Sequence, residues 1–360
     1  TTWNSDTGAA ATYLAFWDER LWAIDTTGQL RYLPRGTALV AGSSVWVTDA
    51  LLPLASNSVN SLFVGPDASG EPILYAGTDF GLYAHDAGHN RWVETALTHP
   101  FNGTAGLSAC VWRGDIYYPM GMGVYQYHPG SPSFIKAMGL DRDNGVDETY
   151  RGTIRTLVPT VNELLAFTWA AATGTKPGIF AYNGMGWSVV WSGGTADANI
   201  RAAYVPSVGA YRLYFSHQDN IFYFILPADL LSPLTLATYA YASGAKVHIT
   251  PWVQGVGAAN VALRVIVGTS GIDSTAAAVT TVVVDYATNY STSWTTLGTI
   301  SVTSTAETTY SFPNNTTPSG TAFNVIRFRV TLERAGTSNA KTSDVLYLKF
   351  VYLPIMSPKW

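Results

Sequence analysis

The sequence predicts an all-β chain in two parts. A β-propeller of five blades, with a sixth open to completion, covers residues 1–234. An antiparallel β-sandwich of jelly-roll type covers residues 235–360. Three observations predict this. Short aromatic-rich strands separated by Gly turns recur at roughly 40 to 50 residues, the repeat length of four-stranded propeller blades. The recurrence stops near Thr235, where longer Ser/Thr/Ala/Val-rich strands begin. Helical periodicity is almost absent, while alternation such as Leu82-Tyr83-Ala84 fits strands with one buried face.

The blades are read in chain order. The units are LAFWDERLWAIDTTGQLRYLP (14–34), ILYAGTDFGLYAHDAGHNRWVETAL (73–97), ACVWRGDIYYPMGMGVYQYHPG (109–130), ELLAFTWAAATGTKPGIFAYNGMGWSVVW (163–191) and YRLYFSHQDNIFYFILP (211–227). Each holds an apolar strand, a turn and a second strand rich in Tyr, Phe or Trp. A further strand precedes most units, as in SLFVG (61–65), TIRTLVP (153–159) and IRAAYVP (200–206). One such meander cannot cover both of its faces, whereas neighbours packed face on face around an axis can. A sixth blade would be completed by the N-terminal segment or by residues ahead of Thr1.

Beyond the link ADLLSPLTLATY (228–239), alternation is clearest in Val325-Ile326-Arg327-Phe328-Arg329-Val330. Long polar loops such as TSGIDSTAAA and NNTTPSG separate these strands, a pattern suited to a layered pair of antiparallel sheets.

Composition narrows function. The chain is 47% hydrophobic but only 12% charged, with 21 Tyr and 12 Trp. That suits a packed β protein with a polar, mostly uncharged surface. A formal net charge of −4 and the lack of any Lys/Arg run predict no nucleic-acid partner. No stretch reaches the ~18 to 20 continuous apolar residues of a membrane-spanning helix, so no membrane insertion is expected. The single cysteine, Cys110, excludes an internal disulfide framework and a multi-cysteine zinc site, and its apolar setting predicts an inert thiol. The sequence opens on Thr1, and the expectation is a processed chain or one with residues ahead of it.

Two stretches carry a resemblance. The run MGLDRDNGVDETYRGTIRTLVPTVNELLAF, followed by IFAYNGMGWSVVW and YRLYFSHQDNIFYFILP, is similar to structural proteins of tailed bacteriophages. So is the C-terminal pattern TPWVQGV, ALRVIVGTSG, SWTTLGTISV and VIRFRVTLERAGTSNAKTSDVLYLKFVYLP. The resemblance spans roughly residues 138–354 and rests on pattern, with no catalytic motif in it. It implies a virion component of the tail or tail tip, in which a propeller precedes a sandwich. Such a component would sit in an extracellular particle, contact other virion proteins and copies of itself, and reach a host-surface glycan.

The search for chemistry yields few constellations. Asp141, Asp143 and Asp147 in LDRDNGVDE place carboxylates near a Gly, as calcium loops do, since hard cations want several oxygens on a tight turn. Gly145 is misplaced for an EF-hand, and a solvated inter-blade loop is the favoured reading. Asp18, Glu19, Asp79, Asp115 and Asp219 point out of turns; a glycosidase would need two of them in unlike environments. Four of the Asp residues read as placed alike between blade strands, which argues for a repeated turn-making job. His85 and His89 read as surface-loop residues, and the six histidines show no metal spacing. Trp17, Trp92, Trp112 and Trp187 are candidates for stacking on sugar rings, against the commoner role of packing between blades.

The expectation is therefore a non-enzymatic virion structural protein of homo-oligomeric habit, with assembly contacts and host attachment, and without a cofactor beyond a possible Ca ion at the acidic loop. The alternatives are a glycan-binding propeller lectin and, behind it, a propeller glycoside hydrolase.

Overall fold

A computed structural model describes the chain except for residues 1–10, 26–29, 38–45, 49–58, 87, 90, 132–133, 141–150, 171–175, 194–199, 201, 207–210, 218–219, 227–245, 257–258, 273–279, 302–305, 317, 335–342 and 356–360. Among the described residues every regular element is a strand. They fall into two compact units, one running to Ile225 and the other starting at Leu226. The expected boundary at 234/235 lies outside the described residues.

The first unit is a propeller-like series of small antiparallel sheets, each a meander of consecutive strands. The first contains β1 (Ala11–Trp17), β2 (Arg20–Asp25), β3 (Leu30–Leu33) and β4 (Val47–Thr48), and the second β5 (Val59–Pro66), β6 (Pro72–Thr78), β7 (Gly81–Asp86) and β8 (Arg91–Thr98). The third contains β9 (Cys110–Trp112), β10 (Asp115–Met120), β11 (Gly123–Tyr127) and β12 (Ile135–Gly139). The fourth contains β13 (Gly152–Pro159), β14 (Leu164–Ala170), β15 (Gly178–Tyr182) and β16 (Trp187–Ser192). The fifth has three described strands, β17 (Ala203–Tyr204), β18 (Arg212–His217) and β19 (Asn220–Ile225).

Successive sheets lean on each other through their first strands: β1 against β5, β5 against β9, β9 against β13, and β13 against β17. The cores lie between sheets. Trp22, Ile24 and Leu30 of the first sheet pack with Val59, Leu62, Leu74 and Tyr83 of the second. Tyr75, Leu82 and Leu97 on the other side of that second sheet pack with Ile116, Tyr118 and Tyr127 of the third. Apolar residues on both sheet faces thus find a neighbour, which is why these strands read as nearly continuous hydrophobic runs.

Three of the five first strands share a detail that the residue pattern hides. The register between first and second strand shifts at Ala11/Tyr13, at Val59/Ser61 and at Ile154/Thr156. Each shift is a bulge that inserts one residue, Thr12, Asn60 or Arg155, near the start of the strand and re-aims the side chains beyond it. Backbones also approach closely between sheets. Gly106 (φ 70°) lies against Gly77 of β6, and a Cβ at Gly106 would stand 2.9 Å from the Gly77 carbonyl carbon. Only glycine satisfies both the left-handed backbone and that spacing.

The second unit is two antiparallel sheets sharing one core. One sheet contains β20 (Lys246–Ile249), β21 (Val253–Gln254), β23 (Thr280–Thr288), β24 (Thr295–Ile300) and β27 (Val325–Arg334). The other contains β22 (Ala259–Ser270), β25 (Glu307–Ser311), β26 (Thr321–Phe323) and β28 (Asp344–Ile355). Val282, Val284, Tyr286, Phe328 and Val330 from the first meet Val265, Val267, Tyr310, Phe323 and Phe350 from the second. In β22, buried positions switch from Asn260 and Ala262 to Val265 and Val267. The bulge between Ala262 and Arg264 causes the switch, leaving Leu263 41% exposed on the outside.

Candidate functional site

The structure corrects most of the sugar-stacking candidates. Trp92, Trp112 and Trp187 are 6%, 4% and 2% exposed, so their ring faces are closed to a saccharide. Trp92 joins the core between the first and second sheets. Trp112 carries the Arg113 guanidinium on its ring and donates its indole N–H to Thr160 O across the sheet boundary at 2.8 Å. Trp187 tilts against Tyr182. Trp17 is half-buried, and it too spans a boundary, donating to Pro72 O at 2.9 Å. A Trp at a strand end has a long apolar body and one donor, which suits bridging adjacent sheets.

The turn aspartates are not equivalent either. Asp18 and Glu19, both at positive φ, form the two-residue turn between β1 and β2, and Asp18 pairs with Arg35. Asp79 lies between second and third strands, in the β6–β7 turn. Asp115 is the first residue of β10, with Gln126 Nε2 at 2.5 Å and His128 Nδ1 at 2.7 Å. Asp219, like the proposed cation ligands Asp141, Asp143 and Asp147, lies outside the described residues. No cluster of metal-ligating side chains occurs among those described.

His85 is also corrected. It is buried in β7, ringed by Trp17, Trp22 and Trp92 at centroid distances of 5.2, 5.3 and 5.0 Å. His89 is exposed and pairs with Asp86. Cys110 is a free thiol that burial pushes up to about 12, so it carries no thiolate at neutral pH.

Two polar groupings emerge that no single motif announces. In the first unit, Asp79 is 8% exposed and accepts from Asn60 Nδ2, while Asn60 also donates to Ala105 O at 2.8 Å. His99 Nε2 lies 2.9 Å from Tyr118 Oη, whose hydroxyl donates to Thr78 O. Burial holds the Asp79 carboxyl above its ordinary range, opposed by the Asn60 hydrogen bond and by His99 nearby. The Asn60 bulge, the β6–β7 turn and the 99–109 loop are tied together by this network. Its groups are all engaged with each other or with backbone, a structural use of buried polar atoms.

In the second unit, the outer face of the β23–β27 pair carries an aromatic and cationic cluster. The Arg327 guanidinium lies 4.4 Å from the Trp252 ring centre and 4.7 Å from that of Trp294. Arg329 lies 4.8 Å from Trp294 and binds Asp285 Oδ2 through Nε and Nη2, both at 2.9 Å. Tyr290 packs on Trp252 at a centroid distance of 5.0 Å. In the first unit, exposed apolar residues occur on several elements, and four of them fall on the edge strand β19: Ile221 (79%), Phe222 (45%), Tyr223 (55%) and Ile225 (51%).

Comparison with known proteins assigns no family. No family model matches the chain, and no curated protein matches it. Among solved structures, the extracellular domain of a one-component system from B. thetaiotaomicron is similar at a TM-score of 0.43 and 13% identity. That match covers 73% of this chain and 31% of the other, so the chain spans under a third of that relative. A computationally designed protein, Ika8, is similar at 0.38 and 11% identity, over 69% of this chain and 82% of that one. YCF48 bound to a D1 peptide is similar at 0.37 and 12% identity, over 61% and 64%. Likenesses this distant assign neither an activity nor a partner.

Proposed function

We propose that this chain is a non-enzymatic structural and adhesive component of an assembled particle, of the tailed-bacteriophage virion type that its sequence pattern resembles. In this reading the five meanders close into a five-bladed propeller, followed by a jelly-roll-like sandwich. The observation that carries it is the edge at β19. The fifth sheet ends there, among the described residues, one strand short of its four predecessors, and shows four large apolar side chains to solvent. Free-standing β proteins protect such edges with charge, proline or a covering element. An exposed apolar edge is suited instead to a neighbour in an assembly, whether another virion protein or a second copy.

The test is the mass of the purified chain in solution over a wide concentration range, and its presence in purified particles. An oligomer that dissociates when Ile221 and Tyr223 are both changed to Lys supports the reading. A chain that stays monomeric and is found in no particle ends it.

Glycan binding stands as a second reading, and a specific observation favours it: the cluster of Trp252, Tyr290 and Arg327 in the second unit. The blade-top version loses its support because Trp92, Trp112 and Trp187 are core residues.

A further inference from the structure

We propose that the free edge of β19 pairs with the same strand of a second copy of this chain, antiparallel, about a two-fold axis at Tyr223. The fifth sheets of two copies thereby join into one. This rests on the assembly reading above and names its partner.

The edge is unlike the others. Each other sheet of the first unit ends, in chain order, on a strand with a device against such pairing. β4 is two residues long, and β8 carries Arg91 and Glu94 and a register shift against β7. β12 carries Lys136, and β16 shifts register against β15 between Ile179 and Phe180. β19 carries no charge, no proline and no register shift against β18.

Its backbone is aimed outward at the right residues. The Ser216 N–H donates to Ala202 O at 2.9 Å, so Ser216 turns its backbone groups away from β19. Ile221, its partner in register, then turns its own N–H and C=O away from β18. Strand alternation sets Tyr223 and Ile225 the same way.

The partner follows from the order of the side chains. Ile221-Phe222-Tyr223-Phe224-Ile225 reads the same in both directions. Turned about Tyr223, the strand sets Ile221 opposite Ile225, Phe222 opposite Phe224 and Tyr223 opposite Tyr223 of the second copy. A two-fold contact demands that reciprocity, whereas the strand of a different protein would not. The same register brings the outward-facing residues together in three pairs, which exchange about six backbone hydrogen bonds. A slip of one residue would lose them. On the β18 side, Tyr214 and the Arg212 guanidinium lie 5.6 and 4.7 Å from the Tyr223 ring centre and hold it in place. The residue remains 55% exposed, and its backbone edge is untouched by either contact.

The test is sedimentation velocity of the whole chain from about 1 μM to 1 mM, since a short strand pair alone supports a reversible dimer. The expected result is a monomer–dimer equilibrium within that range. Tyr223→Lys and Tyr223→Asp each place like charges on the axis at an exposed position. Each is expected to weaken the dimer about tenfold or more, with an unchanged circular dichroism spectrum. Mixing the two variants sets Lys opposite Asp, and the mixture is expected to associate about tenfold more tightly than either alone. The pairing is overturned if the parent stays monomeric at 1 mM, if Tyr223→Lys dimerises like the parent, or if the mixture does no better than its components. None of these readings reports presence in a particle, so this pairing and the proposed function can fail separately.

Discussion

Trp112 and Thr160 join two sheets through one hydrogen bond: the indole N–H at the end of β9 donates to the carbonyl at the β13–β14 turn, 2.8 Å away. Trp17 to Pro72 and Trp169 to Ile200 make the same kind of link, at 2.9 and 2.8 Å, between other neighbours. Replacing Trp112 by Phe keeps much of the buried ring but strands the acceptor. The expected loss is about 1–3 kcal/mol in chemical denaturation, with a smaller loss for Trp17→Phe because that site is partly wet.

The Asp18-Glu19 turn offers a stabilising change. Trp17 pairs with Arg20, so the two turn residues both sit at positive φ, and Glu19 carries a side chain that left-handed backbone disfavours. Glu19→Gly is expected to raise stability by about 1 kcal/mol, less what Gly loses through unfolded-chain freedom. The gain would show as a higher thermal midpoint. No change, or a fall, would mean that the Glu19 contact with Arg35 outweighs the backbone term.

Asp79 should leave a mark on the pH dependence. Its carboxyl is raised in the folded state, chiefly by burial. The folded chain therefore holds that proton more tightly than the unfolded chain, and the associated stability is full below the unfolded carboxyl pKa. It is lost as pH rises through the folded value. Asp79→Asn keeps an acceptor for Asn60 without the charge. Its stability relative to the parent is expected to be more favourable at pH 7 than at pH 4, measured by denaturant midpoints at both. A constant difference would show that Asp79 ionises without penalty.

Asp285 is a buried charge held by three bonds from two partners. It is 2% exposed, binds Arg329 through two nitrogens and accepts from Thr296 Oγ1 at 2.7 Å. Asp285→Ala leaves the guanidinium uncompensated beside Trp294, and a loss of about 3–5 kcal/mol is expected. A double change of Asp285 and Arg329 to apolar residues should recover much of it, which a double-mutant cycle would show.

The all-β character and the succession of meanders were legible in the sequence because short strands, aromatic content and Gly turns are local signals. The strands preceding each unit, such as 61–65 and 153–159, fall where β5 and β13 lie. The bulges at Asn60 and Arg155 were not legible, since an extra residue in a strand leaves no compositional trace. Trp92, Trp112 and Trp187 read the same whether a neighbouring sheet or solvent faces them, and only the packing of one meander on the next decides it. The apparent equivalence failed at Asp79, which lies at the turn between second and third strands, whereas Asp18 and Asp115 lie at the turn between first and second, where similar short strings occur too. The cluster of Trp252, Tyr290, Trp294 and Arg327 was missed for a different reason. Its members are assembled by the pairing of β23 with β27 and by turns on either side, and that register is set by the folded core, not by spacing along the chain.

The contact between Gly77 and Gly106 has a consequence for how this chain can change. A Cβ at Gly106 would meet main chain alone, so a bulkier residue there finds no side chain opposite that could shrink to make room. Drift in either sheet must therefore flow around a fixed point. Descendants of this sequence could exchange nearly every aromatic residue between those two meanders and still be recognised by two small residues, held where one loop crosses one strand.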